Sequence, residues 1–260
     1  MTTIPIFQLD AFTDKPFGGN PAAVCPLQEW LPDDVMQSIA LENNVSDTAF
    51  YVPEGDGFLL RWFTPKIEVD LCGHATLATA WLILNELEPD RASVAFETRS
   101  GTLTVSRDGD LLAMDFPVMV AEERPAPAGL AEAIGIEPVK FLKAVMNMAV
   151  LENEAVVRAV NPDFGYIKNM DGMGLIITAL GDQSDCALRY FAPHAGIDED
   201  PVTGSAHCTI VPYWSGVLGK AQIHARQVSA RSGDLYCLLE GDRVVLTGKA
   251  RTVIKGTFTI

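Results

Sequence analysis

The sequence predicts an α+β protein of two similar domains, each a mostly antiparallel β-sheet or barrel wrapped around one central helix. The main evidence is an internal repeat, in which residues 60–65 (LRWFTP) reappear as residues 188–193 (LRYFAP), 128 positions later. A glycine that opens an apolar segment follows each copy, at Gly73 and at Gly204. Because the shift is about half of the 260 residues, we expect one fold duplicated about a pseudo-twofold axis rather than a solenoid of short units.

A third match helps to place the domain boundary. Residues 99–103 (RSGTL) are echoed by residues 231–235 (RSGDL), 132 positions later. Prolines accumulate where the first copy ends, at residues 117–127, and such stretches commonly link domains. We therefore predict domains at residues 1–117 and 128–260.

The local pattern is rich in strands and contains one clear helix in the first copy. Short β-branched or aromatic runs predict strands at residues 5–12, 48–52, 58–63, 93–97, 101–106 and 111–116. Residues 73–87 carry Ala, Leu and Thr at helical spacing and predict the central helix. Its counterpart should begin near Gly204 and kink or end early at Pro212. A further helix is predicted at residues 32–43.

Charge and hydropathy exclude several kinds of partner. The net charge of −15 disfavours nucleic acid and anionic membrane surfaces, whereas a small anionic ligand responds to local dipoles and stays compatible. The apolar runs are far shorter than the roughly 20 residues that a membrane-spanning helix needs. The N-terminus lacks a basic segment followed by an apolar one, so we predict a cytoplasmic protein without a secretion signal.

Cysteine and histidine spacing predicts neither disulfides nor a metal site. The residues are Cys25, Cys72, Cys186, Cys208 and Cys237, together with His74, His194, His207 and His224. The five cysteines are an odd number without a C-x-x-C pair, and the histidines are scattered. We therefore expect a reducing compartment and no bound metal.

Residues that can carry chemistry gather at the two predicted helix starts. A helix N-terminus presents backbone N–H groups and the positive end of the helix dipole, and glycine lets a ligand approach closely. Cys72 and His74 flank one start, and Asp200 and Ser205 lie at the other. If the two domains face each other, these starts line a cleft that can hold a small carboxylate.

A structural explanation of the same residues stays open. Asp70 in one half, and Thr203 or Asp200 in the other, can cap the helices, which stabilises a helix by about 1 kcal/mol. A lone histidine is more often structural, and a buried cysteine usually behaves as a small hydrophobe. Capping and anion binding use the same geometry, so both can hold together.

Five segments form a distinctive set: residues 10–24 (DAFTDKPFGGNPAAV), 46–50 (SDTAF), 61–65 (RWFTP), 70–76 (DLCGHAT) and 199–206 (EDPVTGSA), with residues 231–233 (RSG) near the end. Together they resemble the PhzF family of the diaminopimelate-epimerase-like superfamily. The resemblance implies two epimerase-like domains with the active site between them, no metal or organic cofactor, and commonly a homodimer. It also implies an isomerase that moves a proton between ring carbons of a dihydro-hydroxyanthranilate.

The resemblance assigns roles to particular residues. The proton-shuttling carboxylate corresponds to Asp47, and the assisting groups correspond to His74, Asp200 and Ser205. The family usually has glutamate at the first of these positions; the shorter side chain draws the carboxylate back, and a displacement near 1 Å can cost about 100-fold in rate. The predicted substrate-binding residues are Asn20, Cys72, Gly73, Ala75, Thr203 and Gly204.

Two other functions stay open. Epimerases of the superfamily use one cysteine from each half as opposed bases, but the position matching Cys72 is Thr203, so only a weaker pairing of Cys72 with Asp200 remains. Alternatively, the chain is a small-molecule binding protein whose catalytic carboxylate has drifted from glutamate to aspartate.

Overall fold

The computed structural model describes residues 2–260, which form eighteen strands and six α-helices. In chain order these are β1 (Thr3–Ala11), β2 (Asn20–Pro26), α1 (Asp33–Asn43), β3 (Asp47–Glu54), β4 (Gly57–Phe63), β5 (Glu68–Val69), α2 (Gly73–Leu82), β6 (Ser93–Thr98), β7 (Gly101–Asp108), β8 (Leu111–Pro117), β9 (Glu122–Glu123), α3 (Leu130–Ile134), β10 (Lys140–Lys143), β11 (Asn147–Val150), α4 (Glu154–Ala159), α5 (Phe164–Lys168), β12 (Leu175–Leu180), β13 (Cys186–Ala192), β14 (Ile197–Asp200), α6 (Gly204–Leu218), β15 (Gln222–Gln227), β16 (Gly233–Glu240), β17 (Arg243–Gly248) and β18 (Ala250–Thr259). A π-helical turn (Ile83–Leu87) continues α2, and a 3-10 turn (Pro193–Ala195) follows β13.

The six predicted strands are confirmed to within a few residues. The predicted helices at residues 32–43 and 73–87 are confirmed in the same way, as α1 and as α2 with its π-helical turn. The sequence pattern did not reveal β2, which has two prolines and a short apolar run. Between residues 2 and 260, none of the helices has the length and apolar character needed to cross a membrane.

The chain divides into two compact units, which we call the first unit (residues 1–115 and 247–260) and the second unit (residues 116–246). The predicted second domain, residues 128–260, includes residues 247–260. Instead, β18 pairs antiparallel with β1 over its length, from Thr3 opposite Thr259 to Ala11 opposite Ala250. A strand-like residue pattern identifies a strand but does not identify its partner, which is why the prediction is wrong for this segment.

Both units share one local strand arrangement. In the first unit, β2 runs antiparallel to β1 and parallel to β3, and β3 runs antiparallel to β4. In the second unit, β11 runs antiparallel to β10 and parallel to β12, and β12 runs antiparallel to β13. The sequence repeat is therefore accompanied by a repeat of strand topology.

The two long apolar helices form the centre of their units. Neither α2 nor α6 contains a charged residue, and most side chains of both helices are buried. A helix that is apolar on all sides must be surrounded by protein. Accordingly, α2 packs against β1, β2, β3 and β18, and α6 packs against β15 and β16.

Pro212 lies inside α6, which continues for six further residues to Leu218 instead of ending early. Proline lacks a backbone N–H, so the carbonyl four residues earlier, that of Cys208, loses its usual helical donor. The backbone N–H of Met119 donates a hydrogen bond of 2.9 Å to this carbonyl. The expectation of an early end is wrong because a segment outside the helix supplies the missing donor.

Candidate active site

Three buried side chains of the first unit lie in contact and form what we call the Asp47 cluster: Asp47, Cys72 and His74. The Oδ2 atom of Asp47 lies 3.6 Å from Nε2 of His74, and these two side chains are only 10% and 9% exposed. The Cys72 Sγ atom lies 3.4 Å from Nδ1 and 4.0 Å from Nε2 of the same ring. The predicted acid/base carboxylate and the predicted assisting histidine are therefore neighbours.

Strand pairing and helix position bring these three side chains together. Asp47 is the first residue of β3 and lies opposite Ala22 of the parallel strand β2. Cys72 is the N-cap residue of α2, and His74 is the second residue of that helix. Since the helix packs against both strands, its N-terminus carries Cys72 and His74 to the edge where β3 begins.

The start of β2 holds the imidazole of His74 in place. His74 is hydrogen-bonded to the backbone of Pro21, and since proline has no N–H, an imidazole N–H donates to the Pro21 carbonyl. Asn20, a predicted substrate-binding residue, directly precedes Pro21 and is fully buried. Gly19 has φ +60°, and a Cβ atom there would lie 2.0 Å from the carbonyl oxygen of Ala11, so the turn before Asn20 requires glycine.

His74 is a neutral imidazole at neutral pH. Burial lowers the pKa of His74 to about 3, and the hydrogen bond to Pro21 opposes this effect only in part. The contact with Asp47 is therefore that of a carboxyl group with an uncharged ring. His74 can orient the carboxyl group without neutralising it.

The N-cap residues of the two predicted helix starts do not cap them with their side chains. In the described chain, neither the N-cap Cys72 of α2 nor the N-cap Thr203 of α6 makes a side-chain capping hydrogen bond. Asp70 is 74% exposed, and its carboxylate lies 3.7 Å from the guanidinium of Arg99. The Thr203 hydroxyl donates to Oδ2 of Asp200 at 2.5 Å. The Thr203 side chain therefore does not cap α6, whereas capping by Asp200 stays a prediction.

In the second unit, a buried glutamine connects the end of β14 with the start of α6. Oε1 of Gln227 accepts the backbone N–H of Thr203 at 2.8 Å, and its Nε2 donates to the backbone carbonyl of Asp200 at 2.6 Å. Gln227 has no exposed surface. It holds Asp200 and Thr203 in fixed positions, with Gly204 next in the chain.

Sequence analysis missed Gln227, because the repeat hides it. Gln227 lies opposite Gly233 in the β15–β16 pair, as Thr98 lies opposite Gly101 in the β6–β7 pair. The corresponding residue of the first copy is therefore a threonine with a different chemistry. The available signal was a polar amide on the face of β15 that is otherwise apolar.

Ser205 and His207 occupy different positions on α6. Ser205, a predicted assisting group, is half-buried at the second helix position, where α2 has His74. His207 is fully buried, and its Nδ1 donates to the Thr203 carbonyl at 2.8 Å, just as the Thr76 hydroxyl donates to the Cys72 carbonyl at 2.6 Å. Burial lowers the pKa of His207 to about 4. His207 is therefore a structural counterpart of Thr76.

A second repeated feature is an arginine fork next to each helix start. Arg61 donates to both carboxylate oxygens of Glu68 at 2.7 and 2.9 Å. Arg189 donates to both oxygens of Glu199 at 2.8 Å each. The two glutamates lie on the short strands β5 and β14, which lead to α2 and α6. Both arginines belong to the repeated segment, so the sequence contained the signal.

The structure thus places the predicted residues in two local groups. The first unit holds Asn20, Asp47, Cys72, Gly73, His74 and Ala75, and the second holds Asp200, Thr203, Gly204 and Ser205. That the two groups form one site stays a prediction. The Asp47 cluster also combines three types of metal ligand within 4.8 Å of one another, which spacing along the sequence could not show.

Comparisons with known proteins identify the family. The family model described as phenazine biosynthesis-like protein, PhzC-PhzF, matches residues 9–256. An uncharacterized isomerase of Pseudomonas aeruginosa is 49% identical over 254 residues, which cover 98% of each chain. The crystal structure of a PhzF family protein from Enterococcus faecalis superposes with a TM-score of 0.97 at 42% identity, over 100% of both chains.

A more distant structure shares only the fold. A predicted epimerase of Pseudomonas aeruginosa has a TM-score of 0.75 at 19% identity, over 99% of each chain. The epimerase-like architecture expected from the sequence is therefore confirmed. The chain belongs to the phenazine biosynthesis-like PhzC-PhzF family and is an isomerase of that family.

Proposed function

We propose that the protein is a cofactor-independent isomerase that moves a proton between two carbons of a small carboxylate-bearing substrate, with Asp47 as the acid/base. The observation that carries the proposal is the 3.6 Å contact between buried Asp47 and buried, neutral His74. A carboxyl group largely shielded from water, beside a ring that leaves it unneutralised, is suited to accept and return a proton.

In the proposed reaction, the carboxylate of Asp47 takes a proton from one substrate carbon. The electron pair of the broken C–H bond enters the conjugated π system of the substrate. The protonated Asp47 then returns the proton to a different carbon, and an electron pair of the π system forms the new C–H bond. Substrate and product are isomers, so the step needs no oxidant, reductant or second reactant.

The helix starts supply the substrate-binding part of the proposal. The N–H groups of the first turns of α2 and α6 favour an anion, because they carry the positive ends of the helix dipoles. Support comes from the two N-cap residues, Cys72 and Thr203, whose side chains make no capping hydrogen bond. In this proposal the substrate carboxylate binds there, with Asp200 and Ser205 assisting the proton transfer. In this proposal the other predicted binding residues also contact the substrate; they are Asn20, Cys72, Gly73, Ala75, Thr203 and Gly204.

The aspartate in place of the family's usual glutamate restricts which substrates can react. One methylene less draws the carboxylate towards β3. A productive substrate must therefore bring its reacting C–H closer to the start of that strand. We accordingly propose a substrate class of compact cyclic or conjugated amino and hydroxy carboxylates.

Solvent-exchange measurements test the proposal. We expect the protein to catalyse deuterium incorporation from D2O into such carboxylates, followed by nuclear magnetic resonance. Asp47→Asn should reduce the exchange rate by roughly 100-fold or more. The matched control is Asp110→Asn, which changes an exposed aspartate in a hairpin and should leave exchange unchanged. Full exchange in Asp47→Asn excludes Asp47 as the proton shuttle.

A second candidate is an epimerase that uses Cys72 as a base, and the 3.4 Å contact of its sulfur with His74 favours it. In this case Cys72→Ala abolishes exchange and Asp47→Ala leaves it intact. Against a two-thiol mechanism, the matching residue Thr203 offers a hydroxyl that is hydrogen-bonded to Asp200. A protein that binds the carboxylates without any exchange above background is instead a binding protein.

The assembly and the location of the protein are part of the same proposal. We expect a cytoplasmic homodimer, as the family resemblance implies. Sedimentation velocity at several protein concentrations distinguishes a dimer from the 28.1 kDa monomer.

A further inference from the structure

We propose that the Asp47 cluster also binds one zinc ion, and that zinc is a reversible inhibitor of the enzyme. The first support is the chemistry of the three side chains. Thiolate, imidazole and carboxylate are the three side-chain groups that bind Zn²⁺ in proteins. A site of three protein ligands leaves the fourth tetrahedral position for water or a substrate oxygen.

The distances within the cluster exceed those of a tetrahedral site by only a few tenths of an ångström. Bond lengths of roughly 2.0 Å to nitrogen or oxygen and 2.3 Å to sulfur separate neighbouring ligand atoms by about 3.3 to 3.5 Å. For Nε2 of His74 as the ligand atom, the observed separations are 3.6 Å to Oδ2 of Asp47 and 4.0 Å to Sγ of Cys72. Since all three ligand atoms lie within 4.8 Å of one another, small side-chain rotations bring them onto one ion.

The charge of the ligands suits the position at a helix start. A helix N-terminus repels a bare cation. Cys72, when it binds zinc, releases its thiol proton to solvent and contributes one negative charge, and the Asp47 carboxylate contributes another. The complex of Zn²⁺ with these two anions and neutral His74 therefore has no net charge, and the helix start does not oppose it.

The surroundings of His74 resemble the outer shell of a zinc site. Metal-binding histidines usually donate their other ring N–H to a carboxylate or a backbone carbonyl, which fixes the ring. In this protein the Pro21 carbonyl accepts a hydrogen bond from the His74 ring. Within residues 2–260, no other group of three cysteine, histidine or acidic side chains has its ligand atoms this close together.

Inhibition follows from the proposed function, on which this part of the inference rests. A zinc ion at the cluster coordinates the carboxylate oxygen that has to accept the proton. It also occupies the space in front of Asp47. Zinc binding itself does not depend on what the enzyme does and can be measured without a substrate.

The experiment titrates the purified protein with Zn²⁺ by calorimetry and with Co²⁺ by absorbance. We expect one ion per chain and a thiolate-to-cobalt charge-transfer band, both absent with Mg²⁺. Cys72→Ser should abolish the band, and His74→Gln should weaken binding by at least the roughly 10- to 100-fold that loss of an outer-shell partner costs. His194→Gln changes an exposed histidine and is the matched control, with unchanged binding expected.

The outcomes separate this inference from the proposed function. Absence of stoichiometric Co²⁺ binding, or a charge-transfer band that persists in Cys72→Ser, overturns the zinc site. If zinc binds as expected but Asp47→Asn still exchanges deuterium fully, the site stands and the Asp47 mechanism fails. If both hold, zinc should suppress exchange in the wild type, and a chelator should restore it.

Discussion

Gln227 binds both sides of the turn that precedes α6, because its amide accepts the N–H of Thr203 at 2.8 Å and donates to the carbonyl of Asp200 at 2.6 Å. Gln227→Leu removes the hydrogen-bond partner of two buried backbone groups, the N–H of Thr203 and the carbonyl of Asp200. We expect the free energy of unfolding to fall by about 2 to 4 kcal/mol, since each unsatisfied group costs roughly 1 to 3 kcal/mol. Urea denaturation measures the change.

The control for this prediction lies on the same strand. Gln222 is exposed at the start of β15, and Gln222→Leu should change the free energy of unfolding by less than about 0.5 kcal/mol. Equal effects of the two substitutions contradict the role given to Gln227. Where a substrate has been found, Gln227→Leu should also lower exchange activity, because Asp200 and Thr203 then lose their fixed positions.

Local sequence patterns predicted much of the fold. Strand and helix patterns located the central helix and its start at Gly73, because alternation and apolar spacing are properties of neighbouring residues. Partners distant in the chain were not predictable in this way. The pairing of β18 with β1 and the donor that Met119 supplies to Cys208 both depend on residues far apart in sequence.

The sequence pattern pointed to the residues of the Asp47 cluster but not to their geometry. His74 and Cys72 are two positions apart, so their contact follows from the helix start itself. Asp47 joins them only through the parallel pairing of β2 with β3 and the packing of α2 on both strands. Metal ligands that come from one strand and one helix leave no characteristic spacing in the sequence. The sequence therefore did not predict a metal site.

The buried histidines make stability depend on pH. Burial lowers the pKa of His207 to about 4, whereas an exposed histidine in the unfolded chain titrates near 6.5. Below the higher value the unfolded chain binds a proton that the folded protein does not. The free energy of unfolding therefore falls as the pH drops from about 6.5 towards 4, by up to about 1.4 kcal/mol per pH unit for each such histidine.

His207→Thr tests this pH dependence, because Thr76 at the corresponding position of α2 donates to the corresponding carbonyl, that of Cys72. The smaller side chain lowers stability at every pH, so the informative quantity is the slope of the free energy of unfolding against pH. We expect the slope between pH 4 and 6.5 to decrease by about one proton's contribution. Urea denaturation across this range measures it, with His194→Gln as the control for loss of an exposed histidine. An unchanged slope in His207→Thr contradicts the assignment.

We expect a lysine substitution to lower the free energy of unfolding more in an arginine fork than in a simple ion pair. Arg61 and Arg189 are 17% and 13% exposed, and each donates two hydrogen bonds to one carboxylate. Lysine keeps the charge but cannot form the planar fork. We expect Arg61→Lys and Arg189→Lys each to lower the free energy of unfolding by about 1 to 3 kcal/mol.

Arg158 provides the comparison for the forks, since it pairs with Glu154 one helical turn away and is 46% exposed. Arg158→Lys should cost less than about 1 kcal/mol. If Arg189→Lys is as mild as Arg158→Lys, the fork does not hold β14 in place. A fork variant that keeps its stability but loses exchange activity would instead assign the arginine to the substrate.

Two glycines with similar backbone angles test the turn before Asn20. Gly19 has φ +60° and Gly55 has φ +56°. Alanine at either position would have to adopt a left-handed conformation, which destabilises the protein by roughly 1 to 2 kcal/mol. A Cβ atom at Gly55 meets none of the described atoms within 4 Å. At Gly19 it would lie 2.0 Å from the Ala11 carbonyl oxygen, so the backbone itself must move.

We therefore expect Gly19→Ala to lower the free energy of unfolding by several kcal/mol more than Gly55→Ala. The displaced segment leads directly to Pro21, whose carbonyl holds the His74 ring, so the Asp47 cluster should loosen as well. A chemical denaturation series measures the first effect, and the rate of Cys72 modification by a thiol reagent in the folded protein measures the second. Faster modification in Gly19→Ala but not in Gly55→Ala is the expected pair of results; equal rates would show that the turn does not position the cluster.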